Sequence, residues 1–262
     1  MIEDERWPKP DFRPNDEPQF IFWLTFRNSG STAIAQLLST NPLVALLNKR
    51  GEGQWLVPGL CEDDRWDEAK PVDLDSVKAV WLNRYQQIKA RRTHREIKYI
   101  LEKSPPNIMR IRSLIGLFRK TIAVASVRDP YANISSCGFR YQRFDKIDEA
   151  ARLDRLDQLT HDWVQANGKI RELVEDIGIR VVRYEDICVD PIASMSKLDL
   201  PEEIIANIDM TSELSIKDYP KQSMTDMNAK QRDLLTSREI EKIGTLLKPH
   251  HGLLSFFGYA IL

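Results

Sequence analysis

The stretch "QFIFWLTFRNSGSTAIAQLL", from Gln19 to Leu38, predicts a strand, a polar loop and a helix in direct succession. Gln19 to Thr25 is a run of mostly apolar, aromatic and β-branched residues, which is typical of a buried strand. From Ser31 to Leu38 the apolar residues recur at helical spacing. A strand that feeds a helix through a glycine-containing turn is a building unit of α/β proteins, so this stretch indicates the fold class.

The same strand and helix alternation continues along the chain. Further strands are predicted at residues 97–103, 121–127 and 179–186, and helices at 73–95, 107–117, 133–143 and 147–177, while 43–60 is predicted to be irregular. This order predicts a single α/β domain over residues 19–262, with a central parallel sheet of about four or five strands flanked by helices. Residues 1–18 are charged and proline-rich, and we expect a flexible extension there.

The bulk composition excludes several classes of protein. With 38 basic and 39 acidic residues the net charge is -1, which does not support nucleic-acid binding. Cys61, Cys137 and Cys188 form no CxxC pair, which argues against a disulfide framework and a zinc site and favours a reducing compartment. No stretch approaches the roughly 20 apolar residues that span a bilayer. We therefore expect a soluble cytoplasmic protein that does not associate with membranes.

The loop between the first strand and its helix has the chemistry of an anion site. Backbone N–H groups and the helix dipole favour an anion there, and Gly30 allows the backbone to close around it. Further donors are the hydroxyls of Ser29, Ser31 and Thr32. A plain serine-rich helix cap is the alternative. The loop lacks both the first glycine and the lysine of GxxxxGK[ST], which argues against an NTPase, although Asp129 and Asp186 keep a magnesium-binding role open.

A second anion site is predicted where the strand at 121–127 ends. Arg128 follows that strand directly, and Ser136 comes eight residues later in the next helix. The guanidinium and the hydroxyl can reach one anionic group if the helix folds back. The alternative is a surface pair of Arg128 with Asp129 followed by an ordinary helix cap.

Together these segments resemble the sulfotransferases that use 3′-phosphoadenosine 5′-phosphosulfate (PAPS). "RNSGST" is similar to their [K/R]-S-G-[TS]-[TS] loop, and Arg128, Asp129, Pro130 and Ser136 match their R-[DE]-P…S segment. "LEKSPP" at 101–106 resembles their EK[TS]P stretch, "VVRYEDI" at 181–187 their [RK]YEDL stretch, and "LLKPHHGLLSFFGY" their closing helix and tail. These matches run in the family's order through most of the chain.

The resemblance implies a P-loop-like fold and an enzyme that transfers a sulfuryl group from PAPS to a hydroxyl or amine. The acceptor would be a small molecule or carbohydrate, the product adenosine 3′,5′-bisphosphate (PAP), and no metal would be needed. It also assigns residues to the donor. The 5′-phosphosulfate would be bound by Arg27, Asn28, Ser29, Gly30, Ser31 and Thr32, the 3′-phosphate by Arg128 and Ser136, and the adenine side by Tyr184.

The sequence departs from the family pattern at Asn28, where relatives carry lysine or arginine. Two hypotheses replace the missing cation: Arg27 reaches the bridging oxygen, assisted by Lys103, or Lys103 supplies the charge from its strand end. We favour the first, in which Arg27 and Lys103 are both catalytic. The predicted base is Glu52 in "GEGQWL", which resembles a stretch with an acceptor-facing glutamate in some relatives. A solvated turn residue is the alternative, and His94 is a second candidate base.

Two other functions remain open at this stage. One is a P-loop-like nucleotide-binding protein or small-molecule kinase, and the other is a catalytically idle relative that only binds. The basic run from Lys89 to Lys98 is either a patch for an acidic acceptor or a solvated helix end.

Overall fold

The computed structural model describes residues 16–92, 96–216 and 221–262. The predicted base His94 and most of the predicted extension, residues 1–15, lie outside the described residues. Among the residues described, no helix is long and apolar enough to cross a membrane.

The chain has an α/β fold in which helices flank a five-stranded parallel sheet, with strand order β2-β3-β1-β4-β5. The strands are β1 (Gln19–Leu24), β2 (Val44–Leu46), β3 (Tyr99–Glu102), β4 (Thr121–Val127) and β5 (Arg180–Arg183). The longer helices are α1 (Ser31–Leu38), α2 (Leu74–Arg91), α3 (Asn107–Ile115), α4 (Pro130–Tyr141), α5 (Glu149–Ile177) and α10 (Ser237–Leu247). The shorter ones are α6 (Tyr184–Val189), α7 (Pro191–Met195), α8 (Glu202–Ala206), α9 (Asn228–Arg232) and α11 (His251–Phe256). The predicted fold class is therefore confirmed.

Three details of the prediction were wrong. Strand β2 lies inside the segment predicted to be irregular, because three residues are too few to show a strand period. Helix α4 begins at Pro130 rather than Asn133, since the Asp129 carboxylate accepts a hydrogen bond from the Ala132 amide and proline suits the first helical position. The strand predicted at 179–186 ends at Arg183, and Tyr184 already belongs to α6.

Contacts within the chain define two compact units. The first contains the described residues within 16–24, Thr32–Val124 and Leu200–Ser223. In it, β3 pairs in parallel with both β1 and β2, and Gln19 and Val44 both lie opposite Tyr99. Its core includes a cluster of stacked rings, with the centroids of Phe20 and Phe118 3.8 Å apart. Because β3 is buried along its whole length, it also fixes the position of Lys103, the residue that follows it.

The second unit contains Thr25–Ser31, Ala125–Asp199 and Met224–Leu262. Its core lies where α4, α5 and α10 pack, around the fully buried rings of Tyr131, Phe144 and Trp163. A capping box between Thr236 and Glu239 fixes the start of α10. The loop that follows β1 and the end of β4 both belong to this unit.

Candidate functional site

In the first unit, Lys103 forms a buried cluster with Glu52 and Thr32, which we call the Lys103 cluster. Lys103 follows β3 directly and is 1% exposed. Its ammonium donates to the Glu52 carboxylate (Nζ to Oε1, 2.6 Å) and to the Thr32 hydroxyl (Nζ to Oγ1, 3.1 Å). The structure therefore brings together three residues that the sequence predicted separately.

Glu52 is held by donors on every side. Its Oε2 accepts from the indole of Trp55 at 2.8 Å and from the Gln54 amide at 3.3 Å. The Asn48 side chain accepts from the Glu52 N–H and donates to the Glu52 carbonyl. Burial would raise the pKa of Glu52, but the charge of Lys103 and these hydrogen bonds outweigh it and hold that pKa below its usual 4.5. Glu52 is thus ionised. Its side chain is bound by neighbouring residues and is not that of a solvated turn residue.

Lys103 is desolvated by the same packing. Burial lowers the pKa of its ammonium, and the Glu52 carboxylate opposes that effect. A desolvated cation is strongly attracted to any anion that replaces its carboxylate partner. The cluster can therefore pair with an incoming anionic group.

Glu102 positions the segment that carries Glu52. One carboxylate oxygen accepts from the Gly53 N–H at 2.6 Å, and the other accepts from the Ser104 N–H and from the Asn107 amide. Burial raises the pKa of Glu102 to about 7, against these hydrogen bonds. A Cβ on Gly53 would lie 2.6 Å from this carboxylate, so glycine is required for the close approach.

In the second unit, Arg128 forms what we call the Arg128 cluster, with Asn28, Tyr184 and Asn228. Arg128 follows β4 directly and is 5% exposed. Its Nη1 donates to the Asn28 carbonyl at 2.6 Å and its Nε to the Asn228 side chain at 2.8 Å, while the guanidinium lies over the Tyr184 ring. Its Nη2 is buried and has no hydrogen-bond partner among the described residues. A donor of this buried cation is therefore available to a ligand.

The loop after β1 has the backbone of an anion-binding turn. Asn28 and Gly30 both have positive φ, at 59° and 80°, a pattern that forms concave arrays of N–H groups. The Asn133 amide on α4 donates to the Arg27 carbonyl at 2.9 Å and to the Ser29 hydroxyl at 3.0 Å, and the Asn28 amide donates to the Ser136 carbonyl. These hydrogen bonds tie the loop to α4.

Gly30 is required by its contact with Tyr184. A Cβ at this position would lie 2.3 Å from the tyrosine ring, at a backbone conformation that L-residues rarely adopt. We expect Gly30→Ala to lower the melting temperature by about 4 °C or more, since the left-handed conformation alone costs about 1–2 kcal/mol. Differential scanning calorimetry measures this shift.

Gly168→Ala on α5 is the matched control, because its Cβ would meet no atom within 4 Å. We expect it to leave the melting temperature unchanged or to raise it slightly, since alanine suits a helix better than glycine. Equal shifts for both variants would contradict the close contact at Gly30.

Arg27 is engaged elsewhere than predicted for a bridging cation. Its guanidinium forms an ion pair with Asp162 on α5 and lies over the rings of Phe26 and Tyr141. Sequence reasoning could not show this, because Asp162 is 135 residues away and carries no motif. Two other predicted residues have the following positions. Ser31 is buried at the start of α1, and the Tyr184 hydroxyl donates a hydrogen bond to the Thr225 carbonyl.

The sequence also missed residues that support the site. Asn133 lies within the "RDPYANISS" segment. The signal for its contact with the loop was an amide side chain in the first turn of the helix that follows β4. Asn228 is 100 residues from Arg128, and its side chain also donates to Glu185 at 2.5 Å. Within the described chain, no group of three or more His, Cys, Asp or Glu residues could hold a metal ion.

Solved structures share this fold at low sequence identity. A sulfotransferase from Alicyclobacillus acidocaldarius is 11% identical with a TM-score of 0.55, covering 93% of this chain and 96% of its own. A Mycobacterium avium sulfotransferase is 13% identical with a TM-score of 0.54, covering 95% and 79%. The sulfotransferase domain from the curacin biosynthetic pathway is 18% identical with a TM-score of 0.50, covering 94% and 99%.

Comparison with curated proteins finds no match. The family model described as "Sulfotransferase family", in contrast, matches residues 19–198, which is more than half of the chain and includes both clusters except Asn228. The chain therefore belongs to the sulfotransferase family.

Proposed function

We propose that this sulfotransferase takes its sulfuryl group from PAPS and transfers it, without a metal, to a hydroxyl or amine of an acceptor. The observation that carries the choice of donor is Arg128, a buried guanidinium with a free Nη2 and no carboxylate partner in the described chain. A buried donor nitrogen without an acceptor is costly unless a ligand supplies that acceptor. The resemblance assigns this ligand group as the 3′-phosphate.

Loop residues 28–31 and Thr32 would bind the 5′-phosphosulfate through backbone N–H groups and hydroxyls. Asn133 supports this assignment, because it holds the Ser29 hydroxyl and the Arg27 carbonyl in place. The Ser136 hydroxyl is proposed as a further donor to the 3′-phosphate.

We assign the cation at the leaving group to Lys103 rather than to Arg27. Lys103 is buried and contacts Thr32, whereas Arg27 is paired with Asp162. Arg27 stays a predicted contact of the 5′-phosphosulfate, with a smaller role than Lys103. On donor binding the Lys103 ammonium exchanges the Glu52 carboxylate for the phosphosulfate, which frees Glu52 at the same time.

In the transfer step, Glu52 and Lys103 each have one role. The acceptor oxygen or nitrogen attacks sulfur, the bond from sulfur to the 5′-phosphate oxygen breaks, and PAP leaves with the electron pair of that bond. Glu52 accepts the proton that the acceptor loses, and Lys103 stabilises the charge that develops on the leaving phosphate. Positioning and electrostatics supply the rest of the catalysis.

Titration calorimetry with PAP tests the proposal. We expect wild-type protein to bind PAP in the presence of EDTA and Arg128→Ala to bind it about 10- to 100-fold more weakly, since a hydrogen bond to a charged group contributes about 1.5–3 kcal/mol. Circular dichroism before each titration confirms that the variant is folded.

Arg180→Ala is the matched control, because this exposed arginine at the start of β5 pairs with Asp199 at the surface. It should bind PAP like the wild type. Equal affinity of a folded Arg128→Ala protein for PAP would overturn the assignment of Arg128. A wild type that binds PAP but sulfates no acceptor would favour the idle binder.

A further inference from the structure

The first unit contains a cavity of about 710 Å³ beside the Lys103 cluster. Its walls come from α1, the segment after β2 and the last turns of α2, together with Glu213, Ser215 and Lys221. A cavity of this volume encloses a compact molecule of drug size.

Cations dominate the lining of this cavity. The described lining includes a single carboxylate, Glu213, and six cationic side chains: Lys49, Arg50, Arg84, Arg91, Arg92 and Lys221. The whole chain has a net charge of -1, so the excess is local. Within the described part of the chain, no carboxylate forms an ion pair with any of the six, and Arg84 is fixed instead by the Leu47 carbonyl and by Gln87.

Two residues that line the cavity contact the proposed reacting groups. Thr32 lines it and also accepts the hydrogen bond from Lys103. Asn48 lines it and holds the backbone of Glu52 through two hydrogen bonds. The cavity therefore lies one residue away from Glu52 and Lys103, at Asn48 and Thr32.

A smaller hollow of about 400 Å³ adjoins this region and is lined by Asn48, Lys49, Arg50 and Trp55. The Trp55 side chain is 57% exposed, although its indole N–H is bonded to Glu52. An exposed indole fixed in orientation offers a face on which a ring can stack.

We propose that the acceptor is a compact acid: a molecule that carries, besides the hydroxyl or amine that is sulfated, at least one carboxylate, sulfate or phosphate group. This rests on the proposed function, because it takes Glu52 and Lys103 as the reacting groups. The acid group pairs with the arginines at the end of α2, and the reacting group lies toward Glu52. The same field repels cationic acceptors.

Fluorescence anisotropy with a hydroxypyrene trisulfonate dye tests the proposal without turnover, and uncharged hydroxypyrene is the comparison. We expect wild-type protein to bind the dye at least about tenfold more tightly than hydroxypyrene. We also expect Arg91→Gln/Arg92→Gln to weaken dye binding about tenfold, because it removes two of the six cationic side chains that line the cavity.

The matched control is Lys78→Gln/Lys89→Gln, which removes two charges from the same helix outside the cavity lining. It should change dye binding by less than about twofold, and neither double variant should alter hydroxypyrene binding. Equal weakening by both double variants, or no preference of the wild type for the dye, would overturn the proposal.

PAP calorimetry on the same proteins separates this inference from the proposed function. We expect PAP to bind the wild type and both double variants alike. If PAP does not bind the wild type, the choice of donor fails whatever the dye shows. If PAP binds and the dye results go the other way, the acid acceptor alone is wrong.

Discussion

Replacing Lys103 with methionine is expected to slow sulfuryl transfer about 10³-fold while PAP affinity stays within about tenfold, because a preorganised charge acts mainly on the transition state. Lys103 is 1% exposed and donates to both Glu52 and Thr32. Water therefore cannot replace its ammonium at the leaving phosphate. Transfer of labelled sulfur from PAPS to an acceptor measures the rate.

Lys98→Met is the control for this substitution. Lys98 lies just before β3, is 39% exposed and pairs with Glu203, so its loss should leave the rate unchanged. Methionine at 103 also removes the counter-charge of Glu52, so circular dichroism must show that Lys103→Met is folded before its rate is compared. A folded Lys103→Met protein with a rate within about tenfold of the wild type would remove Lys103 from the chemistry.

Glu52→Gln is expected to lower the transfer rate about 10²- to 10⁴-fold, which is the usual contribution of a general base. The amide keeps the shape of the side chain and an oxygen that can accept from Lys103, but it cannot take up a proton. PAP affinity should hold or rise, because Lys103 no longer has a carboxylate to release. Rates and PAP titrations on the variant measure both effects.

The pH profile gives this prediction a second measurement. Only ionised Glu52 accepts a proton, and its pKa lies below 4.5 because Lys103 and its hydrogen-bond donors outweigh burial. The kcat/KM of the wild type for PAPS reports groups of the free enzyme, in which Lys103 is paired with Glu52, so ionisation of Glu52 should not lower it until the pH is below about 4.5. In Lys103→Met burial dominates, the pKa of Glu52 rises, and the acid limb should move to higher pH.

Glu62→Gln serves as the control for Glu52, because this carboxylate is 67% exposed and pairs with Lys70. Its rate and pH profile should match the wild type. A Glu52→Gln protein with an unchanged rate would leave the acceptor proton without the base proposed here.

Much of the fold could be predicted from local sequence patterns. Strand β4 was predicted with its observed bounds, because an unbroken β-branched and apolar run followed by "RDP" has few alternative structures. Strand β2 was missed, since three residues at the sheet edge leave no period and owe their pairing to β3. Its position could come only from a partner more than 50 residues away in the sequence.

The same limit applies to the candidate site: local features were predicted from the sequence, and long-range pairings were not. Lys103 and Arg128 were predicted because each follows a buried strand directly, which places charge at a strand end. Our proposal of Lys103 over Arg27 rests on the ion pair of Arg27 with Asp162, which could not be predicted from the sequence. The ionised state of Glu52 likewise depends on Lys103, which lies 51 residues away. Pairings of this kind arise from the fold and leave no local signal.

The choice of donor is tested most directly by titrating wild-type protein with PAP in EDTA and, in parallel, with ATP and magnesium. PAP lacks a triphosphate but has the 3′-phosphate that is assigned to Arg128. The account predicts tight, metal-independent binding of PAP, at least about 100-fold tighter than that of magnesium–ATP. Tighter binding of magnesium–ATP than of PAP would contradict it.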